Sequence, residues 1–325
     1  MKLPRRKFLH LALGAAALPA LSRVARAQAY PTRPVRVIVP SSAGSATDIA
    51  ARLIGQWLSE RLGQPFVIEN RPGAASNIAT EAVVRAPADG YTLLLVNAGS
   101  AWNATLYDKL SFNFIRDIAP VASVMRTPVV MEVHPSVLAN TVPEFIAYAQ
   151  ANPGKIAMAS AGNGSIHHVA GELFKMMARI DLLHVPYRGA PPALTDLIAG
   201  QVQVIFDVLP SSIGYIRAGK LRALAVTTAA RLEMLPDIPT VGEFVPGYEA
   251  SGWIGVGTPK NTQTEIVDKL NKEINVALAD PKIRARIADL GSPVFASSPA
   301  EFANFIAAET EKWAKVIKFA GIKAD

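Results

Sequence analysis

Eight runs of continuous apolar, often β-branched residues lie between positions 35 and 226, at 35–39, 66–69, 92–96, 129–133, 156–159, 182–185, 202–207 and 221–226. A strand that is apolar at nearly every position needs cover on both faces, and helices crossing between parallel strands supply it. Helical patterns fill the gaps. Ile49, Leu53, Ile54, Trp57 and Leu58 follow the cap candidates Thr47 and Asp48. Another helix is expected from Ser76 and Asn77, and a third behind a Thr141/Glu144 capping box. Two more are predicted, over 168–178 and after Pro191-Pro192. Past residue 255 the strands are expected to stop, with helices at 264–279, 281–290 and 298–319. Ser298, Pro299 and Glu301 form a cap, N1 proline and N3 acid. This alternation predicts two doubly wound α/β units, over 28–127 and 128–250. The glycine-rich segment 248–259 would carry the chain back. That makes residues 28–127 plus 251–325 one discontinuous domain, 128–250 the other, with a cleft between them.

The first 27 residues read as an address. Lys2, Arg5, Arg6 and Lys7 precede an apolar stretch, 8–20, that is shorter than the roughly 20 residues of a membrane span. Ala25-Arg26-Ala27 then fits the small-x-small cleavage rule. Arg5-Arg6 before Lys7-Phe8-Leu9 matches the twin-arginine export pattern, an ordinary Sec signal being the alternative. Either predicts an exported, soluble chain that begins at Gln28. The formal charge of +7 shrinks with that cut. Six cations and no acids lie in 1–27, leaving 27 bases against 26 acids. No basic stripe then argues for nucleic acid. With no cysteine in the chain, thiol chemistry and cysteine metal sites are excluded, and a domain pair of this size buries enough core without disulfides.

In an open α/β sheet, ligands sit beyond the C-terminal ends of the strands. Here those loops share small, hydroxyl- or amide-bearing residues: Ser41, Ser42, Ala43, Gly44 and Thr47 with Asp48; Asn97 to Ser100; Ser160 to Ser165, including Asn163 and Gly164; and Tyr187, Arg188, Gly189. The first amides of a helix lack intrahelical partners and carry its positive dipole end, so bare loops let an anion reach them. The prediction is a small-anion site that needs no buried arginine. A plain βα connection would use similar residues, but four such loops in one chain exceed what turns require. Enzyme signatures are missing: no G-x-S-x-G elbow, no P-loop lysine, no complete G-x-G-x-x-G. His167 and His168 diverge by about 100° on a helix and lack an H-E-x-x-H frame, so they read as helix-start residues, with His167 toward the cleft. Asp207 ends a buried run, a costly place for a lone charge. It either fixes loop amides or meets a ligand ammonium. His134 and His184 read as structural, and Trp253 as core packing.

Several of these stretches, in order, make the chain similar to one known family. YPTRPVRVIVP, ERLGQPFVIENRPGAASNIATE, DGYTLLL, SAGNGSIHHVAGELF, VPYRGAPPALTDLIAGQV and LRALAVTT together resemble the Bug, or TctC-type, extracytoplasmic solute receptors of tripartite tricarboxylate transporters. The resemblance implies a two-lobed, type II-like periplasmic binding protein fold. It also implies a small carboxylate held by backbone amides, hydroxyls and water, and delivery to a pair of membrane subunits. The family's P-x-x-x-G-G-x-x-D loop maps onto Pro40, Gly44 and Asp48, with Ser45 in place of the second glycine; SAGNGS at 160–165 matches throughout, and Tyr187-Arg188-Gly189 matches Y-[KR]-G. On this reading the chain is a monomeric receptor with no cofactor or metal. A receptor that reports to a sensor kinase is one alternative. A hydrolase pairing Ser41, Ser100 or Ser165 with His167 is another, lacking a recognisable triad order.

Overall fold

The computed structural model describes residues 30–322 apart from Asp108; the leader and its processing point before Gln28 lie outside the described residues. The strands are β1 (Val35–Val39), β2 (Phe66–Asn70), β3 (Thr92–Asn97), β4 (Ile118–Val133), β5 (Ala157–Ser160), β6 (Leu183–Pro186), β7 (Val204–Val208), β8 (Arg222–Val226) and β9 (Ser251–Pro259). The helices are α1 (Ala46–Leu62), α2 (Asn77–Val84), α3 (Ala98–Leu106), α4 (Phe114–Asp117), α5 (Val142–Ala151), α6 (Ile166–Ala178), α7 (Ala190–Ile198), α8 (Leu209–Arg217), α9 (Thr264–Ala279), α10 (Pro281–Asp289) and α11 (Pro299–Ala320).

The strands run in the order β2-β1-β3-β9-β4-β7-β5-β6, with β8 also on β4. β1 pairs in parallel with β2 and β3, and β5 with β6 and β7. Of these, β1, β3, β5 and β7 are the buried, apolar strands expected of a sheet covered by helices on both faces, whereas the outer β2 and β6 are partly exposed. Two antiparallel strands join the halves. β4 pairs with β9 from Ile118 to Pro128, then with β7 from Val129 onward. The connection is thus two crossing strands side by side, with Thr127 opposite Gly252. Buried Thr227 ties them together: its hydroxyl reaches Val129 O at 2.9 Å and Ala250 O at 2.5 Å.

Two expectations need correction here. β4 begins eleven residues before the predicted 129, and β9 occupies the glycine-rich segment read only as a return connection. Pro120 and Pro128 disguise the first as a loop. In the second, the glycines serve close packing rather than freedom. A Cβ on Gly255 would run into the ring of Phe302, which stands edge-on to Trp253 at 5.6 Å. The C-terminal helices cover the first half: Trp313 lies 5.3 Å from Trp102, and Asn271 donates to Val121 O. The second half closes over Phe145, Phe174 and Phe206.

Helix starts follow their caps. Ser298 and Glu301 form the reciprocal box before α11. At α5 the box is broken: Thr141 accepts from Glu144 N, but the Glu144 carboxylate accepts from Asn140 N instead. α1 starts two residues earlier than predicted, capped by Ser45 rather than Thr47 or Asp48.

Candidate ligand-binding site

A cavity of about 750 Å³ lies between the halves at the C-terminal ends of the parallel strands. Three helices start on it in one manner. Ser45 caps α1 by accepting from Asp48 N, Asn97 caps α3 by accepting from Ser100 N, and Ser165 caps α6 by accepting from His168 N. In each case the cap takes the third amide and leaves the first two. Those first two residues line the cavity: Ala46 and Thr47, Ala98 and Gly99, Ile166 and His167. Ala46 N donates to Ser211 Oγ across the cleft at 3.3 Å. The amides of Thr47, Gly99, Ile166 and His167 have no acceptor among the described residues. α7 contributes less, because Pro191 and Pro192 remove its second and third donors. Arg188 is the one formal cation in the lining, and no carboxylate joins it among the described residues.

The second-half loop is built from side chains. Ser160 Oγ lies 2.7 Å from His184 Nε2 and accepts from Gly162 N; Ser165 Oγ donates to Gly162 O. Gly164 N donates to His168 Nδ1, and the His168 and His184 rings stack at 3.8 Å. Burial, then the neighbouring His184, drives His168 down to about 3, so it serves as a neutral acceptor. Among the described residues, three hydrogen bonds join the halves across the cleft: Ser42 Oγ donates to Arg188 O, Ala46 N to Ser211 Oγ, and Trp102 Nε1 to Gly164 O at 2.8 Å.

Of the residues singled out in the sequence, Ser41, Ser42, Thr47, Asn97, Asn163, Gly164, Ser165, His167, Tyr187, Arg188 and Gly189 line the cavity. Ala43, Gly44, Asp48, Ser100, Ser160 and Asp207 do not. Ala43 and Gly44 face solvent, and the other four are buried behind the wall. Asp48 holds the first loop from behind, accepting from Gly44 N at 2.9 Å, Asn70 Nδ2 at 2.9 Å and both Nε and Nη2 of Arg52 at 3.0 Å. Burial pushes its carboxyl up, but these bonds outweigh burial and hold it below the usual carboxylate range. Asp207 Oδ1 lies 2.7 Å from His167 Nε2, so it sets the histidine and meets no ligand directly. None of Ser41, Ser100 or Ser165 is hydrogen-bonded to His167 among the described residues, which removes the geometric basis of the hydrolase reading.

Four parts of the wall escaped the sequence reading. The segment from Pro72 to Ser76 after β2, Thr127 and Trp253 on the crossing strands, Tyr107 after α3, and Ser211 on α8 all line the cavity. The strand-end rule was the signal that would have found the first of these, since Pro72-Gly73 follow β2 as Ser41-Ser42 follow β1.

A buried acid stands behind the same wall. Glu132 on β4 is fully buried, and burial followed by the charge of Asp207 holds its carboxyl well above the usual range. The folded protein therefore carries a proton there that the unfolded chain releases above the ordinary glutamate value. Stability from this group is complete below that value and declines as pH rises, by up to about 1.4 kcal/mol per unit. Glu132→Gln is expected to flatten that decline and to exceed the wild type in urea-unfolding midpoint near pH 8. Parallel stability profiles for the two proteins would show that Glu132 is ionised in the fold.

Comparison with known proteins decides the lineage. A family model described as the tripartite tricarboxylate transporter family receptor, TctC, matches residues 50–322. The chain belongs to this receptor family. Protein BugT of Bordetella pertussis is 35% identical over 300 residues, covering 91% of this chain and 92% of BugT. The solved structure "R. palustris Rpa4515 with adipate" superposes with a TM-score of 0.89 at 38% identity, over 91% of this chain and 100% of that one. MatC from Rhodopseudomonas palustris, solved with bound malate, gives a TM-score of 0.85 at 32% identity, over 89% and 100%. The expected two-lobed binding-protein fold and the expected family both hold, and the family is one of receptors rather than enzymes. The family match begins at residue 50, so the first loop with its Ser45 lies just outside it.

Proposed function

We propose that this TctC-family receptor captures a small carboxylate between its lobes and delivers it to the membrane subunits of a tripartite tricarboxylate transporter, working as an exported, periplasmic protein. One observation carries the reading. Helix starts from both halves spend their third amide on a cap and turn the first two toward one cavity, which holds a single exposed cation and no acid among the described lining residues. An amide bonded to a charged acceptor contributes about 1.5–3 kcal/mol, so three to five account for the roughly 8 kcal/mol of a micromolar complex after ordering costs. Adipate and malate bound to two relatives of the same fold support the choice of ligand class. In this reading residues 28–127 with 251–325 move against 128–250, bending where β4 and β9 cross near Thr127 and Gly252. Calorimetric titration of the folded, ligand-stripped mature protein with mono-, di- and tricarboxylates tests it. Saturable binding of at least one acid at micromolar affinity is expected. Flat traces throughout would reject it.

A further inference from the structure

The amide cradle leaves a buried ionisable cluster beside the cavity unused. His167 lines the cavity while only 6% exposed; its Nε2 lies 2.7 Å from Asp207 Oδ1, and its Nδ1 has no partner among the described residues. Asp207 is fully buried and its second oxygen is unpartnered. Beyond it lie the buried carboxyl of Glu132 and hydroxyl of Ser212. A carboxylate only accepts, so His167 Nε2 carries hydrogen in either state of the ring. With the imidazole neutral, Nδ1 is a bare lone pair and the His167–Asp207 pair holds one buried negative charge. Both disfavour an anion in the cavity. A single proton on Nδ1 removes both objections, because the pair becomes neutral and the nitrogen becomes a donor.

We propose that the receptor takes up about one proton from solution when it binds its carboxylate, that the proton is lodged on His167 Nδ1, and that Asp207 acts as the positioning residue behind it. The step is a simple protonation: the buffer acid gives up a proton, Nδ1, itself enclosed beside the cavity, gains an N–H bond, and the imidazolium so formed cancels the Asp207 charge behind the ligand. This rests on the carboxylate-receptor reading above. Other ionisable groups around the cavity do not serve. His168 stays neutral against His184, with Glu172 at 3.8 Å and engaged by Lys175. Tyr187, raised to about 12 by burial and Asp196, keeps its proton, while the Arg188 guanidinium and the Tyr107 phenol complete the ionisable groups of the same wall. Histidine is the side chain that ordinarily changes charge between about pH 5 and 8.

The test is calorimetry of wild-type protein at about pH 7.5 in phosphate and in Tris, with adipate, malate, succinate and citrate as probes. The difference in heat between buffers of unlike ionisation enthalpy counts protons. Uptake of about one proton is expected, with Kd rising toward tenfold per pH unit through the alkaline range. His167→Gln is expected to bind more weakly, with no proton uptake and a Kd flat with pH. Wild-type binding with no buffer dependence overturns the proposal and leaves the receptor reading standing, as does uptake that persists in His167→Gln. No heat from any acid in either buffer rejects the receptor reading, and the proposal with it.

Discussion

Gly164→Ala is expected to weaken carboxylate binding ten- to a hundredfold while the protein remains folded. Gly164 has φ +72°, and a Cβ there would strike Leu106, a buried residue at the end of α3 in the opposite half. The left-handed backbone costs alanine about 1–2 kcal/mol whether the lobes are together or apart. The collision with Leu106 arises when they are together, and overpacking of this kind costs about 1–3 kcal/mol. In the proposed lobe motion, the closed form, in which Trp102 donates to Gly164 O, therefore loses more than the open one. Calorimetry gives the affinity and small-angle scattering the shape. A variant that binds as tightly as the wild type, with an unchanged radius of gyration, would show that this contact does not form in the closed complex.

Asp48→Ala is expected to have the largest effect on stability, about 2–4 kcal/mol, read from urea unfolding. The side chain is nearly inaccessible and gathers the Gly44 amide, the Asn70 amide and the Arg52 guanidinium around one carboxylate. Arg52 is more than half exposed, so water takes over its interaction at small cost. The loss comes mainly from the two amide donors, and it frees the loop that carries Ser41 and Ser42 into the cavity. A carboxyl held low contributes stability that is present above its ordinary value and lost as pH falls through its folded value. The gap between wild type and variant should narrow below about pH 4. An equal gap at neutral and acid pH would show that Asp48 contributes packing and not charge.

The parallel strands and their helices were legible because burial on both faces leaves no polar position for alternation. Family and fold were legible in ordered motifs, and the anion-seeking loops in their small residues. Other features were hidden for identifiable reasons. Ala74, Ala75 and Ser76 turn along the cavity with φ of +46°, +47° and +77°, a conformation that Ala-Ala-Ser does not announce. It is imposed from a distance, by Asn103 donating to Ala75 O and Asn77 Oδ1. Trp253 read as core packing and does pack on Phe302 and Phe305, yet its strand also forms part of the cavity wall. Asp48, Ser100, Ser160 and Asp207 carry the chemistry of binding residues but stand one layer back. A sequence shows that such a residue is near a site; only packing shows whether it faces the ligand or holds what does.

Solving the crystal structure of the mature protein with its tightest-binding acid tests the account most directly. The account places carboxylate oxygens within hydrogen-bonding distance of peptide nitrogens on both sides of the cleft, among Thr47 and Gly99 on one and Ile166 and His167 on the other. A ligand whose carboxylate is gripped by the Arg188 guanidinium, or lodged away from these helix starts, would contradict it.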